Sequence, residues 1–296
     1  MSADTSLPSS ALRSFVPLLR REWMQHRFAW LLMTLVPLGL GLMFSLAGQI
    51  RFDDEAAARP AQLPVLLAII PPLAGGIAML VLTLLAGLLT VSVLARRDHG
   101  DRSIEFWLSL PVPHAAALGV PMLVHLVLVP GLALLIGLAG GQLIGALLVG
   151  RVAGWEAIAE VPWPLVLAAM GRLALRLLAG LPLAVLGALP IVLLMTLMYA
   201  WFKRWGWVIL IAVGTVHGLV DQFSFGQRWL LQTTGEMLRQ AARSFLGAGG
   251  TPIAFRAGQA DETAAMQAIP GIALLDFGAA LAALASPLFI GGLLFA

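Results

Sequence analysis

The chain has no cysteine, a single lysine and a single tyrosine in 296 residues, and only 11 % of its residues are charged. Without cysteine there can be no disulfide, no thiolate metal site and no cysteine nucleophile. The lysine, Lys203, lies in the run Phe202-Lys203-Arg204-Trp205. A phosphate-binding loop needs Gly-Lys followed by Ser or Thr, because backbone donors cradle the phosphates while the lysine reaches the terminal ones. This chain therefore cannot be an ATPase of that type by itself. None of its five histidines sits in H-E-x-x-H, and no G-x-S-x-G elbow occurs, so a zincin site and a hydrolase nucleophile of that kind are excluded as well. The expectation is a chain that is not an enzyme and holds no metal or cofactor.

The shortage of charge has its counterpart in 60 % apolar residues and a mean hydropathy of +0.93. A soluble globule is nearer half apolar and a quarter charged, so the composition predicts an all-α polytopic membrane protein. A sequence pI near 10.5 suggests nucleic acid, but the formal net charge is only +3 and the arginines are dispersed at the ends of apolar runs. Membrane topology explains them better, and no nucleic-acid partner is expected.

About 20 apolar helical residues cross the roughly 30 Å hydrocarbon core. Six segments qualify as expected spans: 28–50, 63–95, 115–149, 173–199, 205–223 and 272–296. The second and third are overlong, and Pro71, Pro72, Pro121 and Pro130 are available kink points. The first apolar run begins only at Phe28 and is followed by others, so it reads as a membrane helix and not as a cleavable signal. The organisation expected is an amphipathic helix over 1–27 and a six-span domain over 28–296.

Basic residues set the expected orientation. Arg13, Arg20, Arg21 and Arg27 precede the first span, Arg96, Arg97 and Arg102 follow the second, and Lys203 and Arg204 follow the fourth. The first and third loops hold only Arg51, Arg59 and Arg151, accompanied by Asp53, Asp54, Glu55, Glu156 and Glu160. The amino terminus is expected in the cytoplasm. Ahead of the first span, Leu12, Phe15, Val16, Leu19 and Trp23 recur at helical spacing opposite Arg13, Arg20, Arg21 and Gln25. Such a helix lies in the membrane interface with its arginines reaching the headgroups. In the long segment 224–271, Trp229, Leu230, Thr233, Met237, Ala241 and Phe245 repeat in the same way against Arg228, Gln232, Glu236, Arg239, Gln240 and Arg243. This predicts an outer amphipathic helix.

The most informative stretch is the polar run Arg96 to His114. From Asp101 to Leu110 it reads as a helix of about 15 Å at 1.5 Å per residue, too short to cross a bilayer and stopped by Pro111 and Pro113. Ile104, Trp107 and Leu108 fall on one face, with Asp101, Arg102, Glu105 and Ser109 as the polar remainder. It is either a docking surface or an interfacial tether between two spans.

This run resembles the loop between the second and third spans in permease subunits of the second class of ATP-binding-cassette exporters. In one bacterial branch a sequence close to DRSI.FW.SLPV recurs, matched here by Asp101, Arg102, Ser103, Ile104, Phe106, Trp107, Ser109, Leu110, Pro111 and Val112. Across the wider class the loop carries Gly-Thr-Leu-Glu; Glu105 matches its acid, while Arg102 and Ser103 depart from its glycine and threonine. The resemblance implies a coupling helix in which Asp101, Arg102, Glu105, Phe106, Trp107 and Leu110 meet a separate nucleotide-binding subunit, which binds the ATP and magnesium. It also implies a second permease subunit, identical or not, a path bordered by spans two and five, a connector role for the amino-terminal helix, residence in a bacterial inner membrane, and export.

Five ionisable residues within or beside the expected spans are candidates for a site. His217 and Asp221 are four apart and share a face of span five; they either line a path or cap an interface. Arg172 and Arg176, also four apart, are placed near the outer end of span four, where they either attract an anionic cargo or headgroup or snorkel outward. His125 in span three reads as a buried polar residue bonded to a neighbouring helix. Gly137, Gly141 and Gly145, and separately Gly214 and Gly218, form G-x-x-x-G spacings that predict close helix packing, within one subunit or across a dimer. A secondary transporter and a membrane scaffold that moves no cargo are the rival readings.

Overall fold

The computed structural model describes residues 8–48, 63–100 and 114–220, together with residues 235, 236, 239, 284, 285, 289 and 290. The regular elements are all helical: α1 (Pro8–Ala47), α2 (Leu63–Gly100), α3 (His114–Leu123), a π-helical turn (Val124–Leu128), α4 (Val129–Val152), α5 (Ala157–Glu160), α6 (Trp163–Gly187), α7 (Leu189–Phe202), a 3₁₀ turn (Lys203–Trp205) and α8 (Gly206–Val220). Four stretches are long and apolar enough to cross a membrane: Phe15–Ala47, Leu63–Leu94, Leu118–Val152 and Trp163–Gly187. The chain is a membrane protein. Helix α7 is apolar but shorter. The expected coupling helix 101–110, most of the outer segment 224–271 and most of the sixth expected span lie outside the described residues; Glu236 and Arg239, both expected on the polar face of the outer helix, form an i,i+3 ion pair at 2.8 Å.

Helix α1 is continuous from Pro8 to Ala47, with no break between an amino-terminal helix and the first span. A proline deprives only one carbonyl of its bond, so Pro17 leaves the flanking ladder able to carry the helix through. On this helix Val16 and Trp23 are exposed, whereas Leu18 and Glu22 are buried. The start and the end of the fourth span differ from those expected. The span begins ten residues earlier, at Trp163, because 165–171 is itself apolar and helical. It ends at Gly187, and Leu189–Phe202 is a separate helix with Pro190 in its first turn, where a missing N–H costs nothing. The Lys203–Trp205 turn then reverses the chain, with Lys203 at φ 56° and Gly206 set against the backbone of Met198 and Tyr199.

The chain divides into two compact units, one comprising residues 1–23, 86–127 and 179–296, the other 24–85 and 128–178. The core of the first holds Val91, Leu94, Leu126 and Val192, with Leu88, Met122 and Val185 packed around them. The second is organised on the glycines of α4. A Cβ at Gly137 would lie 2.6 Å from the Gly75 carbonyl oxygen, one at Gly141 2.4 Å from Pro72 Cα, and one at Gly145 2.8 Å from the Leu67 carbonyl oxygen. The three glycines thus form a flat strip against α2 within one chain. Gly214, by contrast, has nothing within 4 Å of a Cβ position.

Candidate functional site

Buried polar groups need partners, and the way each is satisfied separates structural from unusual residues. Among the described residues six buried side chains are polar or charged: Glu22, Thr34, Ser45, Thr83, Ser92 and His125. The four hydroxyls donate to carbonyls of their own helices, as Thr83 does to Met79 at 2.7 Å and Ser92 to Leu88 at 2.7 Å. This is the ordinary way to hide a hydroxyl in an apolar helix. Glu22 and His125 pair across helices. They are 1 % and 2 % exposed, and His125 Nε2 lies 3.1 Å from Glu22 Oε2, bridging α1 to the third span across 103 residues of sequence.

The backbone beneath His125 is built for this contact. Pro130 has no N–H to give the carbonyl of Leu126, and its ring crowds that carbonyl. One turn earlier the helix widens into the π turn Val124–Leu128, in which Val124, His125 and Leu126 are all buried. Single π turns inside α-helices occur often at functional sites. Gly87 of α2 lies directly against this turn: a Cβ there would be 2.1 Å from the His125 carbonyl oxygen. Gly87→Ala must therefore push the π turn away and lengthen or break the His125–Glu22 contact. We expect a loss of about 1–3 kcal/mol, read as a lower melting temperature of the purified chain; Gly119→Ala, where a Cβ meets nothing, should leave it unchanged.

An ionised carboxylate only accepts, so this contact is a hydrogen bond that His125 Nε2–H donates to Glu22 Oε2. The pair can hold a proton between a base and an acid inside apolar surroundings, and ionisable residues within spans mark functional paths by default. Both residues are seven positions from the start of their apolar stretches, Phe15–Ala47 and Leu118–Val152. That is about 10 Å from one end at 1.5 Å per residue, well short of the middle.

Arg172 and Arg176 occupy a different position from the one expected. They are not near the end of the fourth span: Arg172 lies nine residues after Trp163 and Arg176 eleven before Gly187. At 1.5 Å per residue these are about 14 Å and 16 Å from the two ends. The pair straddles the centre of the helix, where each cation costs about 2.5–3.5 kcal/mol by insertion measurements. Snorkelling serves arginines near helix ends, and these are far from both. Each is half-buried, and the Nε of Arg172 is buried without a hydrogen-bond partner among the described residues. Arg176 has an interaction of its own.

The other residues singled out in the sequence are placed less fully. His217 lies on α8, with its side chain outside the described residues, as is Asp221. Asp101, Arg102, Glu105, Phe106, Trp107 and Leu110 are outside them too. Of the candidates, Arg172 and Arg176 lie four residues apart on one helix, and the structure joins His125 to Glu22, a residue that sequence reasoning passes over. The signal for Glu22 is present all the same. Leu18, Glu22 and His26 follow one another at four-residue spacing, which sets the acid on the face of α1 that packs.

No protein-family model, no curated protein and no solved structure matches the chain.

Proposed function

We propose that this chain is the transmembrane permease subunit of an ATP-binding-cassette exporter of the second export class, driven by ATP hydrolysed in a separate nucleotide-binding subunit. The observation that carries this reading is the run Asp101-Arg102-Ser103-Ile104 with Phe106-Trp107 and Ser109-Leu110-Pro111-Val112. Its place supports the reading: α2 ends at Gly100 and α3 begins at His114, so these residues form the short connection between two apolar helices. The chain carries no phosphate-binding lysine motif of its own, which is consistent with a partner doing the hydrolysis. In this reading two permease subunits pair in a bacterial inner membrane with their amino termini in the cytoplasm. Closure of the ATPases on nucleotide then pushes the 101–110 helices and changes which side of the membrane the path opens to.

Docking helices depend on charge for register and on aromatic anchors for affinity. Glu105→Arg reverses the charge with little change in helix propensity, and Phe106→Ala removes an anchor. Both variants should insert and express as the parent does, yet recover at least about tenfold less ATPase subunit on copurification and lose coupling of hydrolysis to transport. If both variants match the parent in recovery and coupling, residues 101–110 are a tether and the reading fails.

The buried Glu22–His125 pair favours a second reading, a proton-coupled secondary transporter, since such carriers place ionisable pairs inside their spans. Coupling-ion sites in these carriers lie near the bilayer midplane. The pair's position about 10 Å from the span ends makes this the weaker of the two.

A further inference from the structure

Nothing in the ATPase reading says what the permease would carry. We infer that α6 carries a binding site for an anionic amphiphile, with a phosphate or carboxylate head held by Arg172 and assisted by Arg176, and an apolar body lying along Leu167, Gly171 and Leu175. Three observations converge within one unit. First, Arg172 and Arg176 stand near the middle of the 25-residue helix α6, away from the helix ends where arginines snorkel to headgroups. Second, charge is unbalanced in this unit: among its described residues the acidic groups are Glu156 and Glu160, both exposed and ahead of α6. Among the described residues the buried Nε of Arg172 has no hydrogen-bond partner, and guanidinium forks pair best with planar or tetrahedral oxyanions.

Third, among the described residues the surface beside Arg172 is apolar and open. Leu167 is 54 % and Leu175 71 % exposed, and a Cβ at Gly171 meets nothing within 4 Å. Ala168 and Leu175 are four and three residues from Arg172, so the guanidinium borders this face directly. Charge on one side and open apolar surface on the other match a ligand with one anionic head and one hydrocarbon body. Binding stands on this geometry alone; that the ligand is cargo rests on the permease reading.

The test uses the full chain in a neutral maltoside detergent, with dodecyl phosphate as probe and thermal stability as readout. Dodecyl phosphate should raise the melting temperature in a saturable way, whereas inorganic phosphate and dodecanol should not. Arg172→Gln should weaken the probe's apparent affinity by about tenfold to a hundredfold, the range expected for losing a charge-assisted hydrogen bond, and Arg172→Lys should retain part of it. Gly171→Phe leaves both arginines in place and fills the open surface, so it should also weaken binding and serves if Arg172→Gln fails to fold. Equal stabilisation of the parent, Arg172→Gln and Gly171→Phe, or equal response to inorganic phosphate, overturns the site. Copurified anionic phospholipid that Arg172→Gln loses while dodecyl phosphate fails to displace it identifies a resident lipid and overturns the exchangeable ligand. Stimulation of partner ATPase activity by dodecyl phosphate tests the cargo role separately: a parent chain that binds the probe but recovers no ATPase subunit refutes the permease reading and leaves the site.

Discussion

Gly141→Leu should abolish the folded form of the second unit, the largest effect expected of any single substitution on α4. The Cβ alone would lie 2.4 Å from Pro72 Cα and 2.5 Å from the Pro71 carbonyl oxygen. These are backbone atoms, so no side chain can rotate aside, and α2 and α4 must separate over the whole strip from Gly137 to Gly145. Overpacking a flexible site costs about 1–3 kcal/mol. Here the close packing at Gly137 and Gly145 loosens as well, and we expect about 3 kcal/mol or more, a large share of the stability that a folded chain holds in reserve. Gly39→Leu is the matched control, since a Cβ at Gly39 meets nothing within 4 Å. Monodispersity on size exclusion and the midpoint of thermal aggregation report the outcome. A Gly141→Leu protein as stable as Gly39→Leu would show that α2 and α4 do not pack through this strip.

That strip is legible in the sequence, because glycines four apart in an apolar helix can only help if another backbone approaches. The apolar runs are legible for the same kind of reason: spanning length and composition survive any detail of packing. Boundaries are not. Starting the fourth span at Leu173, after Arg172, treats a charge as the mark of an end, but the apolar residues from Leu165 to Gly171 continue the same helix. Moving the start to Trp163 transfers Arg172 and Arg176 from the edge to the centre and changes their meaning. Position along a helix, not residue type, decides whether an arginine snorkels or binds.

Glu22 shows a different limit. Between Arg20, Arg21 and Trp23 it reads as one more charge on an interfacial helix, and the stripe of Phe15, Val16, Leu19 and Trp23 points to a face that is largely uncovered. Periodicity tells which residues share a face; it does not tell which face finds a neighbour when the environment is lipid, because lipid accepts apolar residues as readily as protein does. A buried carboxylate cannot be left in lipid, so the acid is the better guide to the packed side.

The pair itself gives the second large effect. Glu22→Ala should destabilise the protein by about 1–3 kcal/mol, the cost of removing one partner from a buried hydrogen bond, because His125 is 2 % exposed. His125→Ala should do the same from the other side and open the π turn to repacking. The double variant Glu22→Leu with His125→Leu removes both polar groups and fills most of their volume, so it should recover much of the loss. A double-variant cycle then reads a coupling energy of about 1–3 kcal/mol. Gln25→Ala on the exposed side of α1 sets the baseline. If Glu22→Ala is no worse than Gln25→Ala, the contact between α1 and the third span does not exist in the membrane. If the double variant is stable but its transport is lost, the pair is kept for its proton and not for its bond. A double variant that is both stable and active assigns Glu22 and His125 to register alone: a buried polar pair that lets α1 meet the π turn at one position along its length and at no other.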